Sequence, residues 1–486
     1  MKYIQLAGSA LPSSPSTSVP PTSESESKSE YAKPLHHDPP NSITNSAPPS
    51  ICQPISPEER CSPATLILSS NNNSNTPPTL SCILEPPYRP FTGADIRPTS
   101  LYTFTEDESM LRDLAQRFAE EVVAPKVREM DEKETMDPEI IKGLFDNGFM
   151  GIETSQEHGG SGASFTSAIL VIEELAKVDP SVSLICDVHN TIANTTIRNY
   201  GSKALLDKYM PDLSTSKVAC FCLSEPGSGS DAFALATKAT KDSNGDYIIN
   251  GSKMWITNSK EAEIFVVFAN LDPSKGYKGV SCFLLEKSMG IEIAKKEEKL
   301  GIKASSTCTL NFDNIKVPKE NLIGQEGLGY KYAIEILNEG RIGIAAQMVG
   351  LAQGAFDKAV KYTYQRKQFG KPVGDMKIFL KFQGMQFQFA DVHTEIEAAR
   401  MLTYNAARLK EEGKPFTEMA AMAKLFSSQV AQNAAGNAIE WCGGVGFTRE
   451  TGIEKYWRDS KIGAIYEGSS NIQRQTLAKF IQKRLG

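Results

Sequence analysis

Two stretches of this chain carry residue types in patterns that could do chemistry. Phe221–Asp231 reads FCLSEPGSGSD, and Ile465–Gln473 reads IYEGSSNIQ. The first looks like a strand end running into a glycine-rich bend that carries the hydroxyls of Ser224, Ser228 and Ser230 and the carboxylate of Asp231. Glycines let backbone amides approach an anion or a ring edge without a Cβ in the way. Serine hydroxyls donate or accept. The second stretch places a lone carboxylate, Glu467, between an aromatic and a glycine. Desolvation raises a carboxyl pKa and makes it a better base near neutral pH. The first suits a polar, phosphate-bearing cofactor and the second a buried base. Together they point to an enzyme that takes a proton and a hydride from one substrate.

Three further segments could support that chemistry. Met254-Trp255-Ile256-Thr257 ends a strand, where a Trp beside a Thr could wall an aromatic ring and bond its edge. Arg366-Lys367-Gln368-Phe369-Gly370 offers an arginine that could fork onto a phosphate. Glu440–Phe447 (EWCGGVGF) stops a long helix at Gly443-Gly444, leaving free carbonyls and a close approach. Each segment has an ordinary structural role open to it: surface turn, core Trp, solvated helix end, helix C-cap or, for Glu467, exposed loop. The glycine-rich stretch is not a P-loop, because no Gly-Lys-Ser/Thr follows, and no helix opens on it as the dinucleotide fingerprint requires. Asp459 and Lys461, close to Glu467, read as solvated.

The elements that must position these residues show a clear order. The 486 residues allow two to four domains. Eighteen of the 27 prolines fall in the first hundred residues, among dense Ser, Thr and Asn, so 1–100 reads as a disordered tail. It lacks the Arg-rich, acid-poor character of a mitochondrial targeting peptide: Glu24, Glu26 and Glu30 precede the first arginine, Arg60. From Thr105, whose hydroxyl and following acids suit a helix start, the period is helical through 217. From Val218 it becomes two, and Asp246–Trp255 reads as a hairpin turning at Asn250-Gly251. From Lys319 helices return: Tyr330–Asn338, Arg341–Tyr364, Gln383–Lys410, Thr417–Cys442 and Ile472–Arg484. The expected fold is α+β: a helical domain over 101–217, a β domain over 218–328 and a helical bundle over 329–486. The net charge of -6, with no clustered basic face, argues against nucleic acid as partner. No apolar run reaches eighteen residues, so no membrane span is expected. The nine cysteines are odd in number and irregularly spaced, and read as reduced thiols. Cys220 and Cys222 should share one strand face. The five histidines show no ligand spacing, so no metal site is expected.

Weak singly, these segments are specific in combination. From about Phe104 to Ile481 the chain resembles the acyl-CoA dehydrogenases, on FCLSEPGSGSD, KMWIT, RKQFG and IYEGSSNIQ. Within that family it is most similar to the short/branched-chain (2-methylbutyryl-CoA) group, on NEGRIGIAAQMVGLAQG (Asn338–Gly354), KASSTCTLNFDNIKVP (Lys303–Pro318) and LTYNAARL (Leu402–Leu409). The resemblance implies a helical N-terminal domain, a middle β-sandwich or barrel domain and a C-terminal four-helix bundle. It also implies FAD, a homotetramer, electron transfer to electron-transferring flavoprotein and the mitochondrial matrix. By resemblance the flavin lies against Phe221, Cys222, Leu223, Ser224, Gly229, Ser230, Trp255, Ile256 and Thr257. The neighbouring subunit supplies Arg366, Gln368, Phe369, Gln383, Glu440, Trp441, Cys442, Gly443 and Gly444, and Ser469, Ser470 and Asn471 return to the first subunit's cofactor. Ser230, Tyr277, Tyr330, Asn338, Glu339, Gly340, Arg341 and Gly468 match positions that hold the acyl-CoA. Glu467 matches the base that removes the α-proton as the β-hydride leaves, giving a trans-2-enoyl-CoA.

The family has a second base position, in Leu337–Arg341. Here it reads Gly340, with Glu339 one residue earlier and turned ~100° away, onto what reads as a solvated face. Gly340 leaves room beside the α-carbon, which fits a 2-methyl branch. The chain departs from the family pattern at Met376–Lys381 (MKIFLK), six residues more than expected between Asp375 and Phe382. As helix they would add ~9 Å and ~240° between Arg366 and Gln383. Two other readings share these residues: an acyl-CoA oxidase that uses O₂, and an inactive, flavin-less homologue serving as a structural subunit.

Overall fold

The computed structural model describes residues 100–375 and 384–486. The tail expected over 1–100 falls outside them but for its last residue, and so do Met376–Lys381 and Gln383. The described chain runs helices, sheet, helices, as the pattern requires.

The first helices are α1 (Glu106–Phe118), α2 (Val127–Lys133), α3 (Pro138–Asp146), α4 (Phe165–Val178), α5 (Pro180–Asp187), α6 (Thr195–Tyr200) and α7 (Lys203–Thr215). Thr105 starts α1 with a capping box: its hydroxyl accepts from Glu108 N–H, and the Glu108 carboxylate accepts from Thr105 N–H. The sequence reading gave no element to α5, α6 or the wide turn Val188–Asn194 between them. Residues 180–197 are buried on every side, so they lack the polar face that periodicity detects. Their polar side chains point inward instead. His189, for example, takes Ala219 N–H on Nδ1 at 2.9 Å and meets Leu213 O at 2.8 Å, tying the run to the sheet.

The sheet contains β1 (Val218–Cys222), β2 (Lys238–Lys241), β3 (Tyr247–Thr257), β4 (Ala262–Asn270), β5 (Val280–Glu286), β6 (Glu292–Lys296), β7 (Thr307–Val317) and β8 (Leu322–Ile323). The order is β6-β7-β3-β2-β4-β5-β8, with β1 parallel to β4. β2 joins the halves, pairing along β3 but with β4 only at Lys238–Asn270. The halves fold onto each other. On β4, Phe265, Val267 and Ala269 pack with Ile249, Leu310 and Phe312 of the other half, while Ile264, Val266 and Phe268 pack with Leu205 and Leu213 of α7. Cys220 and Cys222 share one face, their sulfurs 3.6 Å apart and buried.

The hairpin at Asn250-Gly251 is not formed. Tyr247–Thr257 is one strand, and Gly251 lies in a bulge opposite β7 with Thr237 packed where a Cβ would stand. The turn falls at Asn244-Gly245 instead, since Lys241 pairs with Tyr247 and Gly245 takes φ +84°. Both dipeptides have turn chemistry; which one closes depends on where the partner strand lies.

After β8 comes α8 (Gly329–Gln365), a single helix of 37 residues where two were expected. Gly340 and Gly343 do not break it, because each faces a packed carboxylate. A small ladder of β9 (Lys367–Gln368) and β10 (Lys371–Pro372) follows. Then come α9 (Gly384–Glu411), α10 (Thr417–Cys442), α11 (Gly444–Phe447), α12 (Ile453–Ser460) and α13 (Ser470–Leu485). α8, α9 and α10 pack through alanine-rich faces that let the backbones come close. Among the described residues no helix is long and apolar enough to cross a membrane.

Candidate active site

Glu467 sits between the short turn Lys461–Ala464 and α13, with φ +51°, and Gly468 follows at φ +84°. Two consecutive left-handed residues make a tight reversal, costly for a glutamate. Gln473, fully buried, donates from Nε2 to the carbonyls of Glu467 (3.1 Å) and Gly468 (2.8 Å). The reversal aims the carboxylate at α8. A Cβ placed on Gly340 would stand 3.0 Å from Glu467 Oε2 and 3.8 Å from Ile192 Cγ2. That oxygen is buried and has no hydrogen-bond partner among the described residues. The N–H of Glu467 likewise donates to nothing among them. Burial pushes the carboxyl up to about 7, against Lys424 and Arg341, whose charges pull it down.

One turn along α8, Gly343 makes room for Asp187, whose Oδ1 also accepts from the Thr191 hydroxyl at 2.7 Å. Burial lifts the Asp187 carboxyl well above its usual range, Thr191 partly offsets this, and Glu467 adds to it. Tyr466 donates its hydroxyl to Gln347 on α8. One apolar cluster holds Tyr466, Ile192, Val188 and Phe221, which brings the end of β1 toward Glu467.

The glycine-rich stretch is held from below. Lys253 on β3, fully buried, donates to Leu223 O at 2.9 Å and to Glu225 Oε1 at 2.7 Å. Glu225 in turn accepts from Ala236 N–H and Thr237 N–H. This pair fixes both ends of residues 223–237. Met254 N–H donates to Ser224 O, joining the stretch to the end of β3. Ser228 faces inward and donates to Asp231 O. The hydroxyls of Ser224, Ser230 and Thr257 have no partner among the described residues, and a Cβ on Gly227 or Gly229 would meet nothing within 4 Å. Trp255 stands at φ +63° with 55% of its surface exposed. An exposed ring, free hydroxyls and open backbone side by side fit a flavin: a flat apolar ring with polar edges.

Of the acyl-CoA set, Tyr277 and Tyr330 lie edge to face at 4.9 Å, and Arg341 donates to Asn338 Oδ1 at 2.8 Å. Glu339 is not solvated, contrary to expectation. It is buried with its Oε2 3.2 Å from Lys410 Nζ, because Lys410, Glu153 and Arg198 form a charged cluster against that side of α8. Asp459 is not solvated either: it is fully buried, pairs with Lys455 at 2.6 Å and accepts from Ile302 N–H. Lys461 is half-buried over the Trp457 ring. Glu225, Lys253, Asp187 and Lys424 carry the site's electrostatics yet escaped the sequence reading. Asp187 and Lys424 are isolated charges in apolar runs, a signal that could have found them, whereas Glu225 and Lys253 lie among Ser and Gly and show none.

A second set lies elsewhere. Arg366, Gln368, Phe369, Glu440, Gly443 and Gly444 are exposed, and Trp441 and Cys442 are buried beneath them. Trp441 packs on Phe389 and donates to Gln388, and Gly443 ends α10 at φ +60°. Gly340 lies about a third of the way along α8 and Arg366 just past its C-terminal end. At 1.5 Å per residue they are roughly 39 Å apart along the helix. Ser469, Ser470 and Asn471 open α13 directly behind Glu467. A cleft of about 260 Å³ lined by Arg128, Asp131, Lys358 and Lys455 includes neither set.

Comparison with known proteins gives a consistent result. The chain matches the acyl-CoA dehydrogenase N-terminal domain over residues 105–217, the middle domain over 220–315 and the C-terminal domain over 327–482. It is 53% identical over 382 residues to the short/branched chain specific acyl-CoA dehydrogenase, mitochondrial, of Rattus norvegicus, covering 78% of this chain and 87% of that protein. The structure of butyryl-CoA dehydrogenase from Megasphaera elsdenii superimposes with a TM-score of 0.76 at 40% identity, over 78% of this chain and 99% of that one. A chain from a structure concerning the electron transferring flavoprotein of Acidaminococcus fermentans does so with the same score at 43% identity and the same coverage.

Proposed function

The chain belongs to the acyl-CoA dehydrogenase family, and on that premise we propose that it carries out the FAD-dependent α,β-dehydrogenation of short and branched-chain acyl-CoA thioesters, with Glu467 as the base. The observation that carries this reading is the Glu467 carboxylate. It is buried at one oxygen, without a partner, and points across the gap that Gly340 leaves open.

FAD is the cofactor, and when bound it accepts the hydride that leaves the β-carbon. The chain's own residues do the rest. The α-proton of a thioester is far too weakly acidic for a free carboxylate, so the base must be dry and the developing enolate charge must be met by donors. Glu467 is dry enough for its carboxyl to reach about 7, so at neutral pH a large share of molecules hold it ready to take a proton. Its unengaged N–H is a donor free to meet the thioester oxygen. Gly340 leaves room for a substituent on the α-carbon, which supports a 2-methyl branch. Position 340 is a glycine, so of the family's two base positions only Glu467 offers a carboxylate here.

Ser224, Ser230, Trp255 and Thr257 hold the flavin end, and Tyr277, Tyr330, Asn338 and Arg341 the acyl-CoA. Phe221, Cys222, Leu223, Gly229 and Ile256 complete the flavin wall. The segments 101–217, 218–328 and 329–486 are the three working parts. Arg366 and Glu440–Gly444 lie too far from Glu467 along their own chain to serve the same cofactor. They serve a neighbouring subunit's FAD in a homotetramer. Electrons leave to electron-transferring flavoprotein, and the mitochondrial matrix is the compartment, as the rat relative's description supports.

The test is anaerobic titration of the holoenzyme with 2-methylbutyryl-CoA and butyryl-CoA, followed by flavin absorbance. Bleaching by both, with the branched substrate at least as fast, is expected, and Glu467→Gln should slow it by at least ~10³-fold. Undiminished bleaching in Glu467→Gln, or a clear preference for the straight chain, overturns the corresponding part.

A further inference from the structure

Lys253, Lys424 and Lys455 are the lysines of the described chain with the least exposed surface. Lys253 has Glu225 at 2.7 Å, and Lys455 has Asp459 at 2.6 Å and Asp179 at 3.1 Å. Lys424, on α10, has no carboxylate within ion-pair distance among the described residues. Its Nζ donates to the carbonyl of Gly468 at 2.7 Å. An ammonium taken out of water without a counter-ion is expensive. A fold that keeps one gains something specific.

The surroundings show what is gained. Lys424 meets the residue directly after Glu467, within the left-handed pair. One turn further along α10, the Ser428 hydroxyl meets Gly463 O at 2.7 Å. α10 therefore grips the segment Gly463–Gly468 at both ends. Gln473 holds the carbonyls of Glu467 and Gly468 from the α13 side. The Glu467 side chain makes no hydrogen bond of its own at Oε2, so its aim depends on the backbone beneath it.

We infer that Lys424 is a positioning residue for proton abstraction: its ammonium clamps the Glu467–Gly468 reversal, and its charge faces the carboxylate that the reversal presents. The inference rests on Glu467 being the base. The ionisable groups around the carboxylate come from three elements: Lys424 from α10, Arg341 from α8 and Asp187 from α5, with Tyr466 adjoining. Burial lowers Lys424 to about 7, Glu467 pulls it back up and Arg341 pushes it further down. Asp187 and Tyr466 are pushed toward their neutral forms. An ionised Glu467 favours the charged form of Lys424, and a charged Lys424 favours the ionised carboxylate, so each tunes the other near neutrality.

The experiment measures flavin reduction by acyl-CoA, kcat and KM from pH 5.5 to 9 in native enzyme, K424Q, K424R and E467Q, each loaded with FAD. K424Q should slow flavin reduction at least tenfold at pH 7, with KM changed less than twofold. The acid limb of its kcat/KM profile should move to higher pH, since a cation that favoured the carboxylate is gone. K424R, which keeps the charge, should restore the native limb. Native rates with a native limb in K424Q overturn the inference. If K424Q does not assemble as holoenzyme, Q473L reads the clamp without touching the charge. A slower rate with an unmoved limb is then expected, and a native rate overturns the proposal. E467Q separates the two readings. If E467Q still reduces flavin at the native rate, the base assignment fails; if E467Q is dead and K424Q is native, only the role of Lys424 fails.

Discussion

At Glu467 the burial that would serve the proposed proton abstraction works against folding. The carboxyl is held at about 7 in the folded chain and lies near 4.5 when exposed. Between those values the folded chain holds a proton that the unfolded chain has released. Stability is therefore lost as pH rises from about 4.5 to about 7, and the full cost is present above 7. Glu467→Gln removes a charge that never sat comfortably. It should melt at a higher temperature than native enzyme at pH 8, with the difference narrowing toward zero near pH 4.5. Scanning calorimetry at several pH values checks this, and a constant difference across the range would contradict it. The left-handed φ of Glu467 is part of the same bargain, since a strained residue persists only where its neighbours hold it.

Among the elements, β3 does two jobs. Its end residue Trp255 is exposed beside the glycine-rich stretch, while Lys253, two residues earlier, is buried against Glu225. Residues two apart on a regular strand share a face, but the bulge between Lys253 and Ile256 and the left-handed φ of Trp255 turn these two apart. That bulge couples the shape of the glycine-rich stretch to the strand beside it. Lys253→Met leaves Glu225 buried and unpaired, at a cost of about 3–5 kcal/mol. The expected result is a lower melting temperature and FAD lost on gel filtration. Glu225→Gln together with Lys253→Met, which leaves no bare charge, should recover most of the melting temperature. A Lys253→Met protein that keeps both stability and FAD would show that the pair does not hold the stretch.

For the whole molecule, the length of α8 is decisive. It separates Gly340, beside Glu467, from Arg366 by roughly 39 Å, and on the proposed reading each complete site draws on two chains. Complementation follows from this. Subunits carrying Glu467→Gln and subunits carrying Arg366→Ala should each be weakly active alone. Mixed oligomers contain sites built from the intact Glu467 of one chain and the intact Arg366 of the other. Co-expression should yield activity well above the average of the two parents, read as flavin reduction per bound FAD. Activity no higher than that average would place both residues in one chain's site.

The sequence alone determined the order helices–sheet–helices, the start of α1 at Thr105, the end of α10 at Gly443 and the segments that carry the chemistry. Those features are local: a hydroxyl with acids behind it, a change of period from 3.6 to two, and glycines where a helix must stop. The tertiary structure decided what depends on partners distant in the chain. Asn250-Gly251 has the chemistry of a turn, but β7 lies alongside, so it became a bulge. Val188–Asn194 is too evenly buried to show a pattern. Glu339 and Asp459 look like surface acids until Lys410 and Lys455 arrive from other helices. The raised pKa of the Glu467 carboxyl depends on its burial beside Ile192 and Tyr466, and on a lysine 43 positions away that pulls it back down. Burial and pairing are properties of three-dimensional neighbours, and no spacing along the chain records them.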